Sequence, residues 1–216
     1  MHSLNLETAK RFITALSGGP DSTALACLAN HYARSRGKDH QAVIVNHNLR
    51  PDATSEAVRV RRRMEKLGIA SQILTVVDEA PATAVQEWAR HKRFTELTRM
   101  AREQDAVLLL AHHQSDQAET VLMRLSRGSG IVGLVGMRGL TKRDAVLVAR
   151  PLLDWPAESL VAVLGLLDCA YEDDPSNRNR QFERVRMRQF LCESRLCGNT
   201  LAASALRLRR TMLALS

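Results

Sequence analysis

The chain has 216 residues and a mass of 24.0 kDa; it is 45% hydrophobic and 25% charged, which suits one large globular domain or one domain with an appendage. Aromatics make up only 4%, which argues against RNA binding on stacked rings, and the longest apolar run, Leu160 to Leu167, falls far short of the roughly 20 residues of a membrane span. The net charge of +8 is unevenly placed: nine arginines between Arg178 and Ser216 face only Glu183 and Glu193, a local net of +7 that suits a polyanion such as nucleic acid or, equally, a solvated helix face.

Arg11 to Leu16 is a short apolar stretch that ends in Ser17-Gly18-Gly19-Pro20. Asp21 to Ala33 has helical character, with Leu25, Leu28 and Ala29 on one face. Gln41 to Asn46 reads as a buried strand, Thr54 to Leu67 as an exposed arginine-rich helix, and Gln72 to Val77 as another strand. Thr83 to Arg102 is a long amphipathic helix. Ala106 to Ala111 (AVLLLA) is the clearest buried strand, and Ser115 to Leu125 is again helical. This alternation predicts an α/β fold: an open, mostly parallel sheet with helices on both faces. Gly128, Gly130, Gly133, Gly136 and Gly139 then mark a loop-rich stretch. Val146 to Val148 reads as a last strand, ending at Arg150-Pro151, and Trp155-Pro156 opens a helix to about Leu167. Asp173 to Asn177 carries turn chemistry, and the arginine-rich remainder reads as one or two helices.

Chemistry concentrates at three strand ends. Ser17-Gly18-Gly19-Pro20-Asp21-Ser22 (SGGPDS) joins a strand to a helix. Its glycines let backbone approach a ligand, and the helix start offers N–H groups to phosphate. Asp21 would repel phosphate unless a cation lay between them, so it suggests Mg²⁺. No Lys-bearing GxxxxGK[ST] loop is present. Two glycines and an aspartate would also fit a plain capped turn, but the full hexapeptide between a strand and a helix makes that the minority reading. Asn46-His47 follows the second strand. His112 sits at the end of the Ala106–Ala111 strand, with Asp116 and Glu119 on one face of the next helix. Those carboxylates suit Mg²⁺ or an ammonium, and equally a helix dipole. Ligands of open parallel sheets bind outside the carboxyl ends of the strands, where all three clusters fall. Arg90 and Arg93 share a face of the long helix. Arg127, in Arg127-Gly128-Ser129-Gly130, reads as a second anion site or a helix C-cap. Cys27, Cys169, Cys192 and Cys197 form no CxxC pair and have no histidine at ligand spacing, so neither zinc nor disulfide is expected. The N-terminus lacks a secretory pattern, which makes the cytoplasm the expected compartment.

SGGPDS resembles the signature of the PP-loop ATP pyrophosphatase superfamily, whose fold is of the adenine nucleotide α-hydrolase type. Ala111 to Met137 (AHHQSDQAETVLMRLSRGSGIVGLVGM) closely resembles the long motif of the tRNA(Ile)-lysidine synthetase family. VNHNLRP at Val45–Pro51, ARHKRF at Ala89–Phe94, RPLL at Arg150–Leu153, and Glu172–Asn177 with Arg184 and Arg188 match that family in the same order. The resemblance runs from about residue 10 to residue 190. It implies a catalytic ATP-binding domain over 1–150 and an arginine-rich helical extension over 151–216. It also implies a two-step ligation on isoleucine tRNA with a CAU anticodon. ATP adenylates the wobble cytidine and pyrophosphate leaves; free L-lysine then displaces AMP. Ser17, Gly18, Gly19, Pro20, Asp21 and Ser22 would hold ATP, with Asp21 on Mg²⁺ and Asn46 and His47 near the adenosine. Asp116 and Glu119 would take lysine or share the metal, and His112, Arg90 and Arg93 would position the reacting groups and stabilise charge. Arg127, Arg184, Arg188, Arg207, Arg209 and Arg210 would meet tRNA, although Arg184 and Arg188 could instead brace the turn before them. Ser115 departs from the family, which usually has a second aspartate there. Many members also continue into C-terminal domains that grip tRNA. Two other readings stay open: another PP-loop enzyme, such as a thiolase or amidotransferase-type synthetase, and a non-catalytic nucleotide or RNA binder. Thiolases often carry paired cysteines near the site, which this chain lacks, and a mere binder has no need of the acidic cluster.

Overall fold

In the computed structural model, residues 6–172, 183–194 and 198–214 are described. Six strands form one sheet in the order β3-β2-β1-β4-β6-β5. β1 (Arg11–Leu16) lies between β2 (Asp39–Asn46) and β4 (Val107–Leu109), parallel to both. β3 (Ser71–Thr75) flanks β2, and β6 (Val146–Ala149) flanks β4, again in parallel. β5 (Leu140–Arg143) pairs antiparallel with β6 at the edge.

Side-chain alternation along β1 divides the core. Phe12 packs with Leu25, Leu109, Leu160 and Leu164 on one face of the sheet. Ile13 and Ala15 point the other way and pack with Val43, Leu97 and Leu108. The first face is covered by α1 (Pro20–Ser35), α2 (Ala53–Lys66) and α6 (Ala157–Leu166), the second by α3 (Val85–Glu103). The chain crosses on one face after β1 and β2 and on the other before β4. The direction of winding therefore reverses between β1 and β4, which makes their carboxyl ends the crevice of the sheet. α4 (Gln114–Ser126) leaves β4 at that crevice, and α7 (Glu183–Glu193) and α8 (Gly198–Ala214) pack against α4.

Some elements differ from the sequence reading. β4 is only three residues long because Leu110 to His113 already belong to the loop into α4. α2 is not simply an exposed helix: its Ala57, Val60 and Met64 are buried with Leu16 and Ile44. β5 lies beyond what the pattern predicts, since Leu-Thr-Lys-Arg is half-exposed and its pairing is supplied by β6. A short helix α5 (Ile131–Leu134) interrupts the glycine-rich loop. The expected Asp173–Asn177 turn lies outside the described residues.

Candidate active site

The loop after β1 is locked by its own hydroxyls. The Ser17 N–H donates to Ser22 Oγ at 3.1 Å, the Ser17 and Ser22 hydroxyls lie 3.0 Å apart, and Ser22 Oγ donates to the Gly19 carbonyl at 3.1 Å. Thr23 Oγ1 and the Glu172 N–H both donate to the Gly18 carbonyl, at 3.2 and 2.9 Å. Gly18 is required here: its φ is +87°, and a Cβ would stand 2.7 Å from Val60 Cγ2. Gly19 is the N-cap of α1, extended and without a side chain to satisfy the first turn, so the positive end of that helix stays open to an anion.

Two clefts share Ser17 and Arg93 as walls. One, of about 260 Å³, lies between β2, α2 and α3 and is lined by Asn46 and His47. The other, of about 290 Å³, is lined by Gly19, Pro20, Asp21, Ser22, Arg90, Arg93 and His112. Asn46 is buried and shapes its own turn, donating to Thr54 Oγ1 at 3.0 Å and accepting the Asn48 N–H at 2.9 Å. His47 leans on Trp88, and burial with the nearby Arg93 pushes its pKa down, so the ring is neutral. Burial, with the charge of Arg90 beside it, also lowers the pKa of Arg93. An anion bound beside either group would oppose these shifts, since a nearby negative charge favours the cationic form.

On the β4 side, burial pushes His112 down to about 4, with Asp116 opposing and Arg150, Arg184 and Arg90 adding to the fall. Its Nδ1 is buried without a hydrogen-bond partner. Glu119 is fully buried. Its Oε1 accepts from Arg188 Nε at 2.8 Å, while Oε2 makes no hydrogen bond and lies 3.9 Å from Arg184 Nη1. Burial raises the Glu119 pKa, against the pull of Arg188. Asp116 Oδ1 lies 3.7 Å from the same Arg184 nitrogen. The structure thus brings Asp21, Arg90, Arg93, His112, Asp116 and Glu119 to one crevice, together with Arg184 and Arg188 from α7.

The other arginines are placed differently. Arg127 is exposed and paired with Glu183 at 2.6 Å. Arg209 is held inward, donating to the Met137 carbonyl at 3.2 Å and lying 3.7 Å from Asp154. Arg207 and Arg210 are exposed on α8.

Sequence reasoning missed His113. Nearly buried, it is the N-cap of α4: its Nδ1 accepts the Ser115 N–H at 3.2 Å, and its own N–H donates to Asp116 Oδ2 at 3.0 Å. Its Nε2 stands 3.5 Å from both Asp21 Oδ2 and Asp116 Oδ2. Burial lowers its pKa, but Asp21 and Asp116 outweigh that and leave it raised. The signal is its position just before a helix, hidden because histidine is an uncommon cap. Among the described residues, no three His, Cys, Asp or Glu side chains are grouped to hold a metal by themselves. A lone Asp21 beside a phosphate loop fits Mg²⁺, which takes one or two carboxylates and completes its shell with phosphate and water. No helix of the described residues is long and apolar enough to cross a membrane.

The chain is similar to known proteins. A family profile described as a PP-loop domain matches residues 1–195. The chain is 42% identical over 211 residues to a tRNA(Ile)-lysidine synthase of Bradyrhizobium diazoefficiens, covering 95% of this chain and 58% of that one. It is 40% identical to the tRNA(Ile)-lysidine synthase of Novosphingobium aromaticivorans, covering 93% and 62% respectively. The chain therefore spans less than two thirds of the length of these relatives. Among solved structures, it is similar to a U34-tRNA thiolase of Methanococcus maripaludis that carries a [4Fe-4S] cluster. That match has a TM-score of 0.75 and 21% identity, covers 93% of this chain and 71% of the other, and speaks for the fold alone. With the profile spanning both the phosphate loop and the β4–α4 crevice, the chain belongs to the PP-loop domain family.

Proposed function

We propose that the chain carries the catalytic part of an ATP-dependent ligase that joins free L-lysine to the wobble cytidine of isoleucine tRNA with a CAU anticodon, releasing pyrophosphate and AMP. The observation that carries this reading is Glu119 Oε2: a buried carboxylate oxygen without a hydrogen bond, on the same helix face as Asp116 and across the crevice from the phosphate loop. A buried acceptor of this kind wants a cationic donor, and an amine substrate supplies one. Similarity to relatives named tRNA(Ile)-lysidine synthase supports the choice of amine and of tRNA.

In this reading ATP lies with its adenosine toward Asn46 and His47 and its phosphates on the loop from Ser17 to Ser22. Asp21 would hold Mg²⁺, which screens phosphate charge when bound. Arg90 and Arg93 face the phosphate that the cytidine attacks and stabilise the charge developing there. Neutral His112, lining the same cleft, orients the reacting groups rather than adding charge. Asp116 and Glu119 bind the lysine ammonium, drawing it into contacts now made by Arg184 and Arg188. Residues 1–150 act as the catalytic domain and 151–216 as a helical extension, in the cytosol. Of the arginines expected to meet tRNA, exposed Arg207 and Arg210 suit phosphate contacts; Arg184, Arg188 and Arg209 already serve carboxylates or a carbonyl, and Arg127 pairs with Glu183.

The test is release of AMP from ATP in the presence of tRNA, with and without L-lysine. Lysine-dependent release is expected. AMP release that is indifferent to lysine would overturn the reading.

A further inference from the structure

We infer that His113 is a positioning residue that ties the phosphate loop to the amine-side carboxylates, one ring nitrogen starting α4 and the other offering a single N–H between Asp21 and Asp116. What the two carboxylates bind rests on the function proposed above; the tie itself does not.

The two ring nitrogens have different partners. Nδ1 accepts the Ser115 N–H at 3.2 Å, and a nitrogen that accepts carries no proton. The proton of the neutral ring is therefore on Nε2. That atom lies 3.5 Å from Asp21 Oδ2, on the first turn of α1, and 3.5 Å from Asp116 Oδ2, on the first turn of α4. Two carboxylates this close to one point repel each other, and an N–H between them offsets the repulsion. The same Asp116 oxygen is also held by the backbone N–H of His113 at 3.0 Å, so it cannot drift away from the ring. The charged groups facing the ring are Asp21 from α1, Asp116 from α4 and Arg188 from α7. Capping alone does not explain a histidine, since Asn, Asp or Ser caps a helix at least as well. The histidine ring adds a second nitrogen, so one side chain meets both the helix start and Asp21.

Substitution separates the two roles. His113→Asn keeps an acceptor for the Ser115 N–H but falls short of Asp21; His113→Ala removes both interactions. With the full chain, His113→Ala should melt at lower temperature and His113→Asn close to the unsubstituted protein. Both variants should bind Mg²⁺·ATP about tenfold more weakly by calorimetry, the usual scale for removing an outer partner of a metal-binding carboxylate. His113→Asn binding Mg²⁺·ATP like the unsubstituted chain would overturn the inference. A second readout needs no nucleotide. At mildly alkaline pH, ¹⁵N spectra of the imidazole should show a protonated Nε2 and a bare Nδ1 for His113, and the opposite tautomer would overturn the inference. If the unsubstituted chain binds no Mg²⁺·ATP, the proposed function fails, and the tautomer still decides the role of His113.

Discussion

The two sides of the crevice are built on opposite plans. On the β1 side, the loop from Ser17 to Ser22 locks its own hydroxyls and leaves a helix start open, with Asp21 lining the cleft. On the β4 side, the charges are already answered from within: Arg184 and Arg188 of α7 stand against Asp116 and Glu119. The open side suits a ligand that brings its own charge and metal. The closed side suits a cation that displaces one already there, so its affinity is a difference between two ion pairs. For a site made this way, selectivity would come from how well an incoming cation matches what the arginines now supply.

The largest expected effect falls on the open side. Asp21→Ala should remove ATP-dependent activity while leaving the melting temperature close to that of the unsubstituted chain, because Asp21 is partly exposed and its neighbour His113 Nε2 stands 3.5 Å away. Retained activity at ordinary Mg²⁺ would contradict the metal role. The glycines of the same loop sharpen the point. Gly18→Ala combines a left-handed backbone with a Cβ 2.7 Å from Val60, and should cost roughly 2–4 kcal/mol in chemical denaturation. At Gly19 a Cβ meets only Ser17 Oγ at 3.8 Å, so Gly19→Ala should cost under about 1 kcal/mol and act on nucleotide affinity instead. Equal stability losses would mean that the loop is not locked as described.

The closed side breaks differently. Arg188→Ala strands a buried carboxylate and should cost about 1–2 kcal/mol, reduced from the value of a fully buried charged hydrogen bond because Arg188 is half-exposed. Glu119 adds a pH signature. Burial raises its pKa in the fold, so the folded chain holds the proton to higher pH than the unfolded chain. That contribution to stability is complete below the unfolded pKa and is lost as pH rises through the folded one. Glu119→Gln has no such dependence, so its stability relative to the unsubstituted chain should rise as pH increases across that window. A difference that stays flat with pH would show that Arg188 fully offsets the burial. The smallest effect belongs to the exposed arginines of α8. Replacing Arg207 or Arg210 with Ala should lower the log–log salt slope of tRNA binding by roughly 0.7–0.9 for each phosphate no longer neutralised. An unchanged slope would make these arginines a solvated helix face.

The same contrast governs what can be read from sequence. The open side is local: strand, glycine loop and helix follow one another directly, and their pattern of apolar and turn residues predicts them. The parallel sheet is legible for the same reason, since helices and strands alternate along the chain. The closed side is not local. Arg188 meets Glu119 across 69 residues, and no periodicity in either segment announces that pairing. β5 is invisible in the sequence because its strand character comes from β6 rather than from its own half-polar side chains. His113 hides beside its neighbour His112, because a cap is defined by backbone geometry and histidine is not a usual one.

The most direct measurement follows the product. The chain is incubated with ATP, Mg²⁺, isotopically labelled L-lysine and isoleucine tRNA carrying a CAU anticodon, and the digested tRNA is weighed nucleoside by nucleoside. A lysidine-forming ligase adds the mass of one lysine, less one water, to the wobble cytidine; that gain is expected here, abolished in Asp21→Ala and reduced in Glu119→Gln. AMP formation with an unmodified cytidine, or a different group added to it, would contradict the proposed reaction.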